Sequence, residues 1–153
     1  MAFKTVALFG ASGQIGSHIL NALLECKKQS FNVVAFTSPN HELKLEKAET
    51  QNVRTNVLDV TSTTREELAS ALEGVDVVVS ALNGKALEVQ GMVQDAAADV
   101  GVRRFYPSEY GMHHIYRKPG DDRGYIHPVS LSAYHQYLPL VNSTPCLKNP
   151  YTV

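Results

Sequence analysis

Thr5-Val6-Ala7-Leu8-Phe9-Gly10-Ala11-Ser12-Gly13-Gln14-Ile15-Gly16 is the stretch from which the fold of this chain is read. Its first five residues are a short, almost wholly apolar run, as suits a strand buried on both faces. Glycines at positions 10, 13 and 16 follow at once. From Gln14 to about Lys28, Ile15, Ile19, Leu20, Leu23 and Leu24 recur at helical spacing. Glycines between a strand and a helix allow a tight turn. They also let backbone N–H groups at the positive end of the helix approach an anionic group such as a pyrophosphate. The spacing is G-x-x-G-x-x-G rather than G-x-G-x-x-G. A plain tight turn with close helix packing does not account for three glycines here, so the motif implies dinucleotide binding.

The rest of the chain continues the alternation. Phe31 to Phe36 reads as a second strand, broken by Ser38-Pro39-Asn40, and residues 41–48 are charged and helical at best. Val53 to Leu58 is a weaker third strand. Thr63-x-x-Glu66 is read as a capping box that opens a short helix through Leu72, ended by Gly74. Val75 to Ser80 is the clearest strand, Leu87 to Val100 is helical with Gly101 as its stop, and Arg103 to Tyr106 starts a fifth strand. Strands alternating with helices mean a parallel sheet with covering helices. The expected fold is α/β, a Rossmann-type doubly wound parallel sheet truncated at about five strands in the order 3-2-1-4-5, with an irregular C-terminal tail. The expected domains are 1–127, an NAD(P)-binding unit, and 128–153, an irregular or disordered tail.

Composition excludes several classes. The 153 residues are 44% hydrophobic and 19% charged, which is globular. Lys+Arg is 14 against Asp+Glu 15, a net charge of −1, without the positive excess of a nucleic-acid clamp or a polybasic membrane module. The longest apolar stretches, such as Val75–Leu82, fall far short of the roughly 20 residues of a membrane span. No signal-peptide pattern opens the chain. Cys26 and Cys146 make no disulfide framework. A cytoplasmic protein is expected, with no nucleic-acid or membrane partner.

The end of the second strand bears on which dinucleotide is held. A carboxylate there would bond the ribose hydroxyls and repel a 2′-phosphate. Phe36-Thr37-Ser38 stand there instead, with Lys44 and Lys47 shortly after. Hydroxyls beside an ammonium favour NADP(H) over NAD(H), although both lysines also suit a solvated surface helix. Asp59, at the end of the third strand, is placed either to approach the adenine or simply to form a turn. Ser80 and Ala81 end the fourth strand, at the carboxyl edge where ligands lie in such sheets.

The glycine motif, Asp59, Gly74-Val75-Asp76-Val77-Val78-Val79-Ser80, Gln90 and above all Gly101-Val102-Arg103-Arg104-Phe105-Tyr106-Pro107-Ser108-Glu109-Tyr110-Gly111 resemble the NmrA-like and isoflavone-reductase-like group. These are atypical short-chain dehydrogenase/reductases, and the resemblance covers residues 4 to about 127. It implies that Gly10, Ala11, Ser12, Gly13, Gln14, Ile15 and Gly16 form the cofactor loop, with Gly10, Ser12, Gly13, Gln14 and Ile15 on the phosphates. By the same resemblance, Thr37, Ser38 and Lys44 lie at the 2′-phosphate, and Pro107, Ser108 and Glu109 near the nicotinamide. Members are NADPH-dependent reductases of small aromatic or phenolic metabolites, or catalytically silent redox sensors.

The chain also departs from that group. Its reductases carry a catalytic lysine in the region that here reads Pro128-Val129-Ser130-Leu131-Ser132-Ala133-Tyr134-His135-Gln136-Tyr137, where no lysine occurs. Lys118 precedes that region and Lys148 follows it, and no Tyr-x-x-x-Lys is present. Tyr134 and His135 read as packing or loop residues, so no catalytic residue is assigned. From Pro128 to Val153 there is one charged residue, Lys148, and four prolines interrupt the chain. Family members are longer, and the pattern is lost at one place, so residues from about 128 onward are expected to be non-family sequence such as a retained intron. The Val129 codon, which begins with GT, is a candidate entry point. His113, His114, His127 and His135 lack ligand spacing, so no metal site is expected. Three functions follow: an NADPH-dependent reductase lineage that has lost its lysine and substrate region, a non-enzymatic NADP(H) sensor, and a non-functional fragment. A small aromatic metabolite would be a partner only of a full-length form.

Overall fold

The computed structural model describes residues 3–41, 43, 52–108 and 110. The chain divides into two compact units, Met1–Glu109 and Tyr110–Val153. All the described residues except Tyr110 belong to the first. Lys44, Glu109, the histidines from 113 onward and the 127/128 boundary lie outside the described residues.

The first unit runs β1 (Thr5–Phe9), α1 (Gln14–Leu24), β2 (Asn32–Thr37), β3 (Val53–Val57), α2 (Arg65–Ala71), β4 (Val77–Ser80), α3 (Lys85–Glu88), α4 (Gln90–Asp99) and β5 (Arg104–Tyr106). The five strands form one parallel sheet in the order β3-β2-β1-β4-β5, the Rossmann-type arrangement expected from the alternation. Register aligns the carboxyl ends: Phe9 stands opposite Phe36 on one side and Ser80 on the other.

Alternation along the central strands divides the core between two faces. Ala7, Phe9, Phe36 and Val78 pack with Leu68 and Leu72 at α2 and with Val93, Ala96 and Ala97 of α4. On the opposite face Leu8, Val33 and Ala35 pack with Ala11 and with Leu20 of α1. The Phe9 and Phe36 rings stack with centroids 4.3 Å apart and planes 4° from parallel, tying β1 to β2 just below the glycine turn.

Several boundaries differ from expectation. Helix α1 stops at Leu24 rather than near Lys28, because its apolar stripe ends there and Lys27 and Lys28 are exposed. The capping box is one residue later than read: Thr64 Oγ1 accepts from the Glu67 amide, and Glu67 returns a carboxylate to the Thr64 amide. Thr63 instead donates to the Asp59 carbonyl at 2.6 Å. The helix expected over Leu87–Val100 is two helices, broken at Val89, where φ is −96° and ψ is 6°. Strand β4 starts at Val77 rather than Val75, and the Asp76 carboxylate serves the amino end of the sheet. Its Oδ2 accepts from the amides of Lys4 and Thr5, and its Oδ1 pairs with Arg103. Those amides, then Arg103, hold the Asp76 carboxyl down at about 2 from the ordinary 3.8.

Candidate functional site

At the carboxyl edge the sequence order reverses between β1 and β4, and the glycine turn sits in the crevice so formed. The Gly10 and Ala11 amides both donate to the Phe36 carbonyl, at 3.1 and 3.2 Å, while the Ala81 amide donates to the Phe9 carbonyl at 2.9 Å. These bonds bind the ends of β2, β1 and β4 into one rim. Gly10 has φ +74°, and a Cβ there would come within 2.6 Å of the Ala81 carbonyl oxygen. A Cβ on Gly16 would come within 2.0 Å of the Gly10 carbonyl oxygen. The turn therefore demands glycine at 10 for conformation and at 16 for close approach of α1.

Gly13 is the N-cap of α1 and provides no side-chain cap. The amides of Gln14, Ile15 and Gly16 precede the first intrahelical bond, which Ser17 makes to Gly13 at 2.8 Å. Their partial positive charge adds to the helix dipole. Gln14 and Ile15 are exposed, Ser12 and Gly13 are half-buried, and Ala11 is fully buried beneath them. Such a cradle suits an anionic group approached by backbone N–H groups alone.

The remaining expected residues are spread along the same rim. Thr37 is buried, and its carbonyl accepts from the Leu58 amide at 2.8 Å. Ser38 is exposed, and its Oγ lies 2.8 Å from Nδ1 of His41. Asp59 Oδ1 accepts from the Thr61 hydroxyl at 2.7 Å and the Thr61 amide at 3.0 Å, a turn-forming contact that lowers its pKa. Ser80 is wholly buried at the end of β4, and its Oγ has no hydrogen-bond partner, a buried hydroxyl with donor and acceptor capacity to spare. Ala81 is half-buried beside it.

Pro107 and Ser108 are half-buried just past β5. The Ser108 amide donates to Gln90 Oε1 at 2.8 Å, and its hydroxyl donates to the Leu82 carbonyl at 2.7 Å. Gln90, 94% buried at the first residue of α4, thereby joins α4 to the segment after β5, and Ser108 joins that segment to the loop after β4. Neither Gln90 nor His41 was assigned to the site from sequence. Gln90 carried a signal in the motif pattern, but His41 looked like one polar residue in a charged segment. Among the described residues no cluster of three or more His, Cys, Asp or Glu could hold a metal ion, and no helix is long and apolar enough to cross a membrane.

A parallel five-stranded sheet, a glycine turn at its topological reversal and an uncapped helix N-terminus define a Rossmann-type protein. The comparisons narrow the class: the NmrA-like family profile matches residues 2–122, and the chain belongs to that family. It is similar to a phenylcoumaran benzylic ether reductase of Pinus taeda, 34% identical over 113 residues, covering 69% of this chain and 35% of that protein. An isoflavone reductase homolog of Zea mays is 28% identical over 109 residues, covering 70% and 35%. Among solved structures, a Rossmann-fold NAD(P)-binding family protein from Shigella flexneri is 30% identical with TM-score 0.55, covering 68% of this chain and 50% of that one. The chain spans about a third of the length of the curated relatives it matches.

Proposed function

We propose that this chain binds a nicotinamide dinucleotide across the carboxyl ends of β1 and β4, NADP(H) in preference to NAD(H). The observation that carries the reading is the Gly10–Gly16 cradle, where α1 presents its first amides over a turn that admits no side chain. The Ser12, Gln14 and Ile15 amides would hold the pyrophosphate, with Gly10, Ala11, Gly13 and Gly16 shaping the turn. Thr37, Ser38 and Lys44 would serve the 2′-phosphate and Asp59 the adenine side. Ala81, Pro107, Ser108 and Glu109 would line the path to the nicotinamide, with Ser80 buried beneath Ala81 as its support. The fit is of charge and shape: backbone donors for an anion, and hydroxyls rather than an acid at the end of β2.

The dinucleotide would supply hydride exchange when bound. The chain's own part is to fix the pyrophosphate and ribose and to hold the Pro107-Ser108 segment on Gln90 and Leu82. We read its lineage as that of NADPH-dependent reductases of small aromatic metabolites, from its likeness to the phenylcoumaran benzylic ether reductase and the isoflavone reductase homolog. No lysine stands between Pro128 and Tyr137, so substrate turnover is not expected from this chain. The same observation favours a second reading, a redox sensor whose readout is which form is bound. We place the dinucleotide unit at residues 1–127 and the protein in the cytoplasm, whose reducing conditions suit a chain with two cysteines and no disulfide framework in its sequence.

Calorimetric titration of the 153-residue chain with NADPH, NADP⁺ and NADH tests this. NADPH is expected to bind about tenfold more tightly than NADH, a difference of about 1.4 kcal/mol. Absence of binding by all three overturns the proposal. A sensor separates NADPH from NADP⁺ without turnover of any substrate.

A further inference from the structure

We infer that His41 sets the preference between the two dinucleotides, acting as a positioning residue that turns the Ser38 hydroxyl into a donor for the 2′-phosphate. The inference rests on the dinucleotide reading above and concerns the same site. Strand β2 ends at Thr37, and in this arrangement of strands the adenosine ribose lies just beyond that end. Ser38-Pro39-Asn40-His41 forms a four-residue turn there, closed by the His41 amide donating to the Ser38 carbonyl at 3.1 Å. Pro39 fixes φ at the second position. Asn40 does not have a positive φ, which fits a type I turn rather than a type II. The turn brings the imidazole back over residue 38, with Nδ1 at 2.8 Å from Oγ, and both side chains are exposed on the rim.

The chemistry follows from what a hydroxyl can do. It has one proton to donate and lone pairs to accept with. When Nδ1–H donates into Ser38 Oγ, the serine proton is left for a partner outside the turn, and its bond to that partner is strengthened by the first. A phosphate offers only acceptors to that proton and gains from it fully. The ribose hydroxyl of NAD(H), itself both donor and acceptor, gains less. A pair of this kind therefore discriminates by 2′-substituent rather than raising affinity for both. Glu42, next in sequence and outside the described residues, supplies the competing outcome. A carboxylate facing the ribose would make NADH the tighter ligand.

The test is a fluorescence titration of the full chain with NADPH and with NADH. The variants are His41→Ala, His41→Asn, Ser38→Ala and the double substitution S38A/H41A, with thermal midpoints recorded for each. His41→Ala is expected to weaken NADPH about fivefold, because Ser38 keeps its proton but loses the donor that orients and strengthens it, and to shift NADH by less than about twofold. Asparagine places an amide nitrogen near the Nδ1 position and restores most of the loss. Ser38→Ala costs more, about tenfold, because the bond to the charged group itself is lost, and adding His41→Ala to Ser38→Ala brings no further loss, because the histidine acts through the serine. Equal weakening of both dinucleotides by His41→Ala reduces the pair to a scaffold for the turn and overturns the inference. An unchanged NADPH affinity, or a native chain tighter for NADH that loses this preference on Glu42→Gln, does the same. All these outcomes leave dinucleotide binding standing. A native chain that binds neither dinucleotide removes the underlying reading as well.

Discussion

A methyl group on Gly16 would lie 2.0 Å from the Gly10 carbonyl oxygen and 2.8 Å from its carbon, both backbone atoms that cannot swing aside. Helix α1 would have to lift away from the turn. Gly16→Ala is therefore expected to cost about 2–3 kcal/mol in urea unfolding, in the range of overpacked cores, and to abolish dinucleotide binding. At Gly13 the corresponding contact is 3.2 Å, which a small shift relieves, so Gly13→Ala should lower the urea midpoint far less. At the opposite edge of the sheet, Asp76 sets a dependence on pH. Its carboxyl titrates at about 2 in the fold against the ordinary 3.8, held there by the Thr5 and Lys4 amides and then by Arg103. A depressed folded value favours the charged form in the fold. The stabilisation is thus fully present above about pH 4 and fades as pH falls toward 2. Urea midpoints at pH 7, 4 and 2.5 should fall across that acid window in the native chain and less steeply in Asp76→Asn. At pH 7 the substitution should cost about 1–3 kcal/mol, because an amide nitrogen or a weaker acceptor then meets two N–H groups and a guanidinium. The glycines were legible in sequence because a turn needs them locally. Asp76 was not singled out, since its partners stand at positions 4, 5 and 103.

Whole elements were legible where an apolar stripe marked them, and ambiguous where two registers fitted equally well. The run Thr63-Thr64-Arg65-Glu66-Glu67 satisfies a capping box twice, one residue apart. Thr64 with Glu67 prevails: Thr64 takes the N-cap position, and Leu68 and Leu72 are buried on the sheet side of the helix. Thr63 is already engaged with Asp59. Thr64→Ala should then cost about 1 kcal/mol of stability, and Thr63→Ala clearly less, in a comparison of urea midpoints. The reverse order would restore the earlier register. The break at Val89 had no warning of the usual kind, since neither proline nor glycine marks it. Its consequence is tertiary: Gln90 begins α4 buried, with Oε1 on the Ser108 amide eighteen residues further on. The Ser38–His41 contact is illegible in the sequence for a different reason. A side-chain pair inside a turn has no period to betray it.

At the scale of the molecule, topology was the most predictable feature, because right-handed crossovers between parallel strands leave few orders open to five alternating elements. The order β3-β2-β1-β4-β5 carries a thermodynamic consequence that single residues do not. The turn after β1 is hydrogen-bonded to β2, the residue after β4 is bonded to β1, and Ser108 beyond β5 is bonded to Leu82 after β4. A dinucleotide lying across this rim would contact segments from both halves of the sheet, so binding should stabilise the unit as a whole. At a free NADPH concentration 100 times Kd the linkage amounts to about 2.7 kcal/mol, which for a domain of this size raises Tm by on the order of 10 °C. The two halves of the ligand then serve as controls. Adenosine 2′,5′-bisphosphate should raise Tm by part of that amount through the glycine turn and the end of β2. Nicotinamide mononucleotide, which lacks the adenosine anchor, should raise it little at equal concentration. Gly16→Ala should show no shift with any of the three. A rise confined to NADPH and lost in Gly16→Ala would locate the binding energy in simultaneous contact with both halves. A rise that persists in Gly16→Ala would place the dinucleotide somewhere other than the cradle of α1.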